Sequence, residues 1–281
     1  MGHAMRTDSV PRKTLGPQAA RLVTTLYERG KSVFHLDDVR EITGLRAASA
    51  RSFVRKLVDR GVAARLKPGL FVLVPFELGM AREYAGSPLV VAREIVHGAA
   101  YYLSHATAMG IHGMLTQPQL VVTVSSPKAR RSITASGTLF RFVRCRRRHL
   151  FGLGEHWATK QEQVRVSDPE RTIVDGLRQP EYCGGVTEVA KGLWMRRQDL
   201  NVDRLIGYAK RIRVGAVVRR LGFLLETYHM AEAPVLDRLR RGLTATYVRL
   251  DPVLPAEGKR LRRWRLQLNV DREELLAVLG T

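Results

Sequence analysis

Between Gly16 and Pro75 the apolar residues recur at helical spacing three times and then fall into two short β-rich runs. Ala19, Leu22, Val23 and Leu26 mark one helical face, and Gly30 ends that run. Val33 and Phe34 read as a short extended piece. Leu36 to Thr43 predicts a second helix, with Asp37 and Asp38 in its first turn and Gly44 as its stop. A third helix, from Ala47 to Arg60, places Ala50, Phe53, Val54, Leu57 and Val58 on one side, and Gly61 stops it. The runs Val62 to Leu66 and Leu70 to Val74 read as strands joined by the tight turn Lys67-Pro68-Gly69.

Helix, helix, helix, hairpin is the order of a winged helix-turn-helix. If the third helix buries its apolar side, then Ser49, Arg51, Ser52, Arg55 and Lys56 face outward. Ala47 and Ala48 keep its beginning slim. Hydroxyls and guanidinium forks suit base edges and phosphates in a major groove. Arg46, just ahead of the helix, is placed to meet a phosphate, and Arg65 and Lys67 on the wing to reach the flanking backbone. Residues 1–75 carry a net charge of +8. The bland alternative is a solvated basic helix in a protein that is basic throughout.

Beyond Met80 the pattern becomes mixed. Helices are expected over 89–97 and 101–112, strands over 120–124, 138–143 and 163–166, then helices over 168–178, 186–196, 202–211, 214–230 and 234–241. Two late strands, 246–250 and 263–268, precede a last helix over 271–279. A length of 281 residues suits two domains at roughly 150 residues each. The expected class is α+β: a winged helix-turn-helix over 1–79, then a larger mixed domain over 80–281 with a mainly helical C-terminal part.

Charge narrows the partners. Lys and Arg number 47 against 26 Asp and Glu, a formal net of +21 that points to a polyanion. Lys128, Arg130, Arg131, Arg141, Arg144, Arg146, Arg147 and Arg148 fall in the acid-free segment 126–149. Arg211, Arg213, Arg219 and Arg220 form a further cluster, as do Arg260, Arg262, Arg263 and Arg265. Aromatic residues make up only 7%, which favours a duplex over stacked single strands. The two cysteines, Cys145 and Cys183, form no C-x-x-C pair, so a reducing cytoplasm is expected. The longest run without charge, 95–127, is broken by His97, Ser104, His105, His112 and Gln117, which suits a folded core rather than a bilayer span. Met1–Ala4 reads as an expression remnant ahead of a start at Met5.

No catalytic constellation stands out. Ser167-Asp168-Pro169-Glu170 reads as a capping box with Ser167 as the cap and Glu170 reaching back, and Arg171 and Asp175 as an i, i+4 pair. His97, His105 and His112 match no zinc spacing and read as buried, hydrogen-bonded histidines. Gly184-Gly185 reads as a turn, and neither Ser104 nor Ser125 sits in a G-x-S-x-G. The expectation is no enzyme, no metal and no cofactor. The alternatives are a nucleic-acid-processing enzyme, which would need clustered carboxylates and a metal, or a module binding RNA or an acidic protein.

Three stretches carry a resemblance. The winged helix, the segment Tyr101-Tyr102-Leu103-Ser104-His105-Ala106-Thr107-Ala108-Met109-Gly110-Ile111-His112-Gly113, and Val166-Ser167-Asp168-Pro169-Glu170-Arg171-Thr172-Ile173-Val174-Asp175 together resemble the AbiEi-type antitoxins of type IV, abortive-infection toxin–antitoxin systems. Pro180-Glu181-Tyr182-Cys183-Gly184-Gly185 adds to the likeness. The resemblance implies a cytoplasmic transcriptional autorepressor whose N-terminal domain binds inverted repeats in its own promoter, as a cooperatively binding monomer or weak dimer. It implies a second domain that counters a nucleotidyltransferase-like toxin without requiring contact with it. On that likeness Ser49, Arg51, Ser52, Arg55, Lys56, Arg65 and Lys67 match the DNA-reading helix and wing. Lys128, Arg130, Arg131 and Arg144 to Arg148 correspond to a positively charged second domain.

Overall fold

A computed structural model describes residues 14–78 and 86–277. Over these residues the chain mixes eleven α-helices with three sheets. It divides into two compact units: residues 1–98 with 134–138 and 157–164, and the remainder. The expected boundary at 79/80 lies outside the described residues, as do residues 278–279 of the expected last helix.

In the first unit, α1 (Pro17–Glu28), β1 (Val33–His35), α2 (Leu36–Thr43) and α3 (Ala47–Asp59) lead into β2 (Ala63–Lys67) and β3 (Leu70–Leu73). All three strands pair antiparallel in the order β1-β3-β2, with Val33 opposite Val72. The β2–β3 turn needs a left-handed residue, and Gly69 supplies it at φ 80°. Gly44, at φ 73°, ends α2 the same way. A capping box begins that helix: the His35 ring accepts the Asp38 N–H, and the Asp38 carboxylate accepts the His35 N–H at 2.6 Å. Leu22, Leu26, Phe34, Val39, Ala50 and Val54 are almost fully buried together. At roughly 1.5–3 kcal/mol for each large apolar side chain, that cluster holds α3 by its inner face. Helix α4 (Pro88–Val96) belongs to the same unit.

The largest sheet contains β4 (Tyr102–Leu103), β5 (Val121–Ser126), β6 (Ile133–Ala135), β7 (Thr138–Arg144), β8 (Leu153–Trp157) and β9 (Gln163–Ser167), in the order β6-β7-β5-β4-β9-β8. β5 runs parallel to β7, while β4 runs antiparallel to β5 and parallel to β9. Helix α5 (His105–Ile111) follows β4. The C-terminal part is mainly helical: α6 (Pro169–Arg178), α7 (Val186–Met195), α8 (Val202–Arg211), α9 (Gly215–Thr227) and α10 (Ala233–Arg240). A small sheet of β10 (Val248–Arg249), β11 (Lys259–Leu261) and β12 (Leu266–Leu268), then α11 (Arg272–Ala277), completes it.

Two local expectations are corrected. The helix expected over 101–112 begins only at His105, because Tyr102 and Leu103 are drawn into the sheet between β5 and β9. Helix α6 is capped by Asp168, whose carboxylate accepts the Arg171 N–H at 2.7 Å. Ser167 instead ends β9 with its hydroxyl 2.8 Å from that of Thr172, and Glu170 accepts the Asn201 N–H at 2.8 Å rather than reaching back.

Candidate nucleic-acid interface

The outer face of α3 is a row of exposed polar groups. Ser49, Arg51, Ser52, Arg55 and Lys56 are all exposed, and Arg46 sits exposed at the N-cap. Arg65 is exposed on β2, and Lys67 is half-buried at its end. Arg51, Arg55 and Arg65 share one concavity of about 420 Å³ with Leu36, Val58, Pro68, Gly69 and Phe71. Helix and hairpin thus present cations to the same space.

Among the described residues none of these cations forms a salt bridge, whereas Arg29, Lys31, Arg40 and Arg93 of the same unit are held by carboxylates. Arg29 pairs with Glu41 at 2.9 Å, Lys31 with Asp38 at 2.7 Å, Arg40 with Asp37 at 3.1 Å and Arg93 with Glu162 at 2.5 Å. The charge left without an internal partner includes the whole cationic row of α3 and the hairpin. Such a surface suits phosphate oxygens and base edges.

In the second unit Lys128, Arg131, Arg144, Arg146, Arg147 and Arg148 are exposed and Arg130 is half-buried. Arg144, Arg146 and Arg147 line a second concavity together with Arg178, which sequence reasoning missed: the helix end at Arg178 is legible in the chain, but nothing local signals that it meets the end of β7. One of the expected basic clusters is corrected in part: Arg211 and Arg213 are exposed, but the other two are not. Arg219 and Arg220 are both buried at 4% exposure. Arg219 donates to the Thr244 hydroxyl at 2.7 Å, and Arg220 donates to the carbonyls of Leu177 at 2.6 Å and Arg249 at 3.0 Å. They hold α9 against its neighbours and offer nothing to solvent. In the last cluster Arg263 is tied to Glu226 at 2.6 Å, while Arg260 and Arg265 both lie over the Tyr247 ring.

Residues 101–113 and 166–175 lie in the second unit. Arg171 and Asp175 pair at 2.8 and 3.1 Å, and the Tyr102 hydroxyl lies 3.0 Å from each. Burial would lower the Arg171 pKa, but Asp175 and Tyr102 raise it overall. Burial, then Asp175, raises that of Tyr102. His105 Nδ1 is 2.9 Å from the Ser104 hydroxyl, which is 2.8 Å from that of Ser125. Burial lowers the His105 pKa to about 4, leaving the ring neutral. His112 is half-buried and donates to the Ser167 carbonyl at 2.6 Å. The turn at Gly184-Gly185 leads into α7, whose Val186 N–H is taken by the Asp251 carboxylate at 2.7 Å. These residues hold the unit together.

His97, expected to be buried, is exposed at the end of α4, its ring 4.4 Å from that of His35. With Glu94 these histidines bring three possible ligand atoms within 4.8 Å of one another. The donors are already committed: Glu94 meets Arg93 at 2.9 Å and Lys31 at 3.8 Å, and His35 Nε2 donates to the Glu94 carbonyl at 3.1 Å. Two cations beside the only carboxylate make this an ion-pair cluster rather than a dication site.

No helix of the described residues is long and apolar enough to cross a membrane. No curated protein matches the chain. The fold is similar to that in the crystal structure of the RV2827C protein from Mycobacterium tuberculosis, over 96% of this chain and 97% of that one, with a TM-score of 0.65 and 20% sequence identity. At that identity the likeness concerns the fold alone. Residues 99–227 match the AbiEi antitoxin C-terminal domain, a span that takes in residues 101–113, 166–175 and 180–185 but not the N-terminal helices and hairpin. Residues 99–227 are thereby identified as a domain of the AbiEi antitoxin C-terminal type.

Proposed function

We propose that the protein is an autorepressor and antitoxin of a type IV toxin–antitoxin system, and that residues 1–79 form a winged helix-turn-helix binding inverted repeats in its own promoter. On this reading α2 and α3 are the helix-turn-helix, and the β2–β3 hairpin is the wing. Ser49, Arg51 and Ser52 face base edges, Arg55, Lys56 and Arg46 face phosphates, and Arg65 and Lys67 flank them. The observation that carries it is the convergence of Arg51, Arg55 and Arg65, none in a salt bridge among the described residues, on one concavity between α3 and the hairpin. Lys128, Arg130, Arg131, Arg144, Arg146, Arg147 and Arg148 in residues 80–281 add sequence-independent attraction for the duplex. The protein acts without catalysis in the cytoplasm, as a cooperatively binding monomer or weak dimer. The toxin it counters is nucleotidyltransferase-like, and direct contact with it is not required.

A gel-shift series against the chain's own promoter at several salt concentrations tests this. Arg55→Ala should weaken binding about equally on all sequences and lower the salt slope by about 1. Arg51→Ala should cost about 1–3 kcal/mol on the specific site and relax sequence preference. Native affinity in both variants refutes the assignment.

A further inference from the structure

Four arginines meet at the end of β7. Arg144 closes the strand, Arg146 and Arg147 begin the single turn of 3-10 helix at Arg147–His149, and Arg178 closes α6. With Pro127 and Cys145 they line one concavity of about 640 Å³. That lies inside the range of roughly 300–1,000 Å³ typical of small-ligand sites. Among the described residues none of the four forms a salt bridge, although Arg165, Arg171, Arg196 and Arg204 of the same unit all do.

Guanidinium groups gathered without a counter-charge repel one another, and one of the four, Arg178, also faces the His149 ring at 3.5 Å. His149 is buried, and its pKa is pushed down to about 4, first by burial, then by Arg178 of the hollow, and then by Arg171 and Arg148 outside it. Burial pushes the Cys145 thiol up to about 11, so it stays protonated and offsets none of the charge. The lining holds no carboxylate to repel an anion and no aromatic ring. Recognition rests on guanidinium forks alone, whose geometry fits phosphate oxygens.

We propose that this concavity binds a compact polyphosphate anion, pyrophosphate or the triphosphate tail of a nucleotide, with Arg144, Arg146, Arg147 and Arg178 as its ligands. Linked phosphates bring several negative charges into one small volume and match four convergent cations. A single orthophosphate leaves part of that charge uncompensated. A duplex instead spreads its phosphates along a convex rod, which suits the outer faces of these arginines better than their shared hollow. Arg144, Arg146 and Arg147 are shared with the proposed duplex attraction, but the test contains no promoter, so its failure is distinguishable from failure of promoter binding.

Tripolyphosphate titrated into the full chain by isothermal calorimetry at physiological salt should bind one to one and more tightly than orthophosphate. Arg146→Gln and Arg147→Gln replace exposed side chains and should melt as the native protein does. Each should weaken tripolyphosphate about tenfold, the scale of one lost charge-assisted hydrogen bond. ATP should displace the anion, and occupancy should raise the NMR titration midpoint of His149. Absence of saturable binding, or equal affinity in the Arg146→Gln/Arg147→Gln double variant, overturns the proposal. Displacement by random-sequence duplex but not by ATP also overturns it and makes the hollow part of a nucleic-acid track.

Discussion

Arg171 has no exposed surface, and its partner Asp175 is 1% exposed. Removing such charges from water costs several kcal/mol per ion, offset here by two parallel hydrogen bonds, the Tyr102 hydroxyl and the Phe151 ring 4.3 Å from the guanidinium carbon. Asp175→Ala leaves the guanidinium buried and uncompensated, so it should destabilise the fold by about 3–5 kcal/mol in urea unfolding. Asp175→Asn keeps an acceptor and should cost less. A loss below about 1 kcal/mol for the alanine variant would show that water reaches Arg171. The spacing of Arg171 and Asp175 along one helix face announces their pairing in the sequence. Their burial, and the third partner 69 positions earlier, are not legible there, because they depend on Tyr102 entering a sheet that neighbouring residues do not specify.

At the scale of elements, legibility followed the origin of each element's stability. Helices α1, α2 and α3 are amphipathic along their whole length and carry their own stop signals, so their faces and ends can be read from periodicity. β4 and β11 are two and three residues long and exist because other strands offer them hydrogen bonds, which no local pattern encodes. The outward row of α3 was readable for the same reason as its buried face, but the hollow that Arg51 and Arg55 share with Arg65 depends on how the hairpin folds back. Helix α9 shows the opposite limit. It is buried almost all round, and at Gly222 an added Cβ would fall within the six-membered ring of Trp264, itself fully buried and donating to Glu226 at 2.5 Å. Glycine here serves close approach rather than flexibility. Gly222→Ala, which ordinarily favours a helix by about 1 kcal/mol, should instead destabilise by roughly 1–3 kcal/mol and alter Trp264 fluorescence. A more stable variant with an unchanged spectrum would refute this packing.

For the molecule as a whole, acid should be the weakness, and the histidines set its window. Burial lowers the pKa of His105 to about 4, and burial together with Arg178, Arg171 and Arg148 does the same for His149. His35 is lowered by burial and then by His97, and His112 by burial, so four sites act in one direction. In the unfolded chain each accepts a proton below about pH 6.5, while the folded sites hold out to lower pH, so the unfolded state binds more protons and stability falls as pH drops. For His105 and His149 the loss runs from about 6.5 down to about 4, at most on the order of 3 kcal/mol each, and then levels off. Asp168, raised by burial, works the other way at lower pH, and a formal charge of +21 adds self-repulsion as carboxylates become protonated. The urea midpoint should therefore decline steadily from pH 7 to pH 4.5. His105→Gln and His149→Gln should each flatten that decline by about one proton's worth of slope, whatever their effect on stability at pH 7. Slopes identical to the native protein in both variants would mean that water and protons reach these two rings in the folded state.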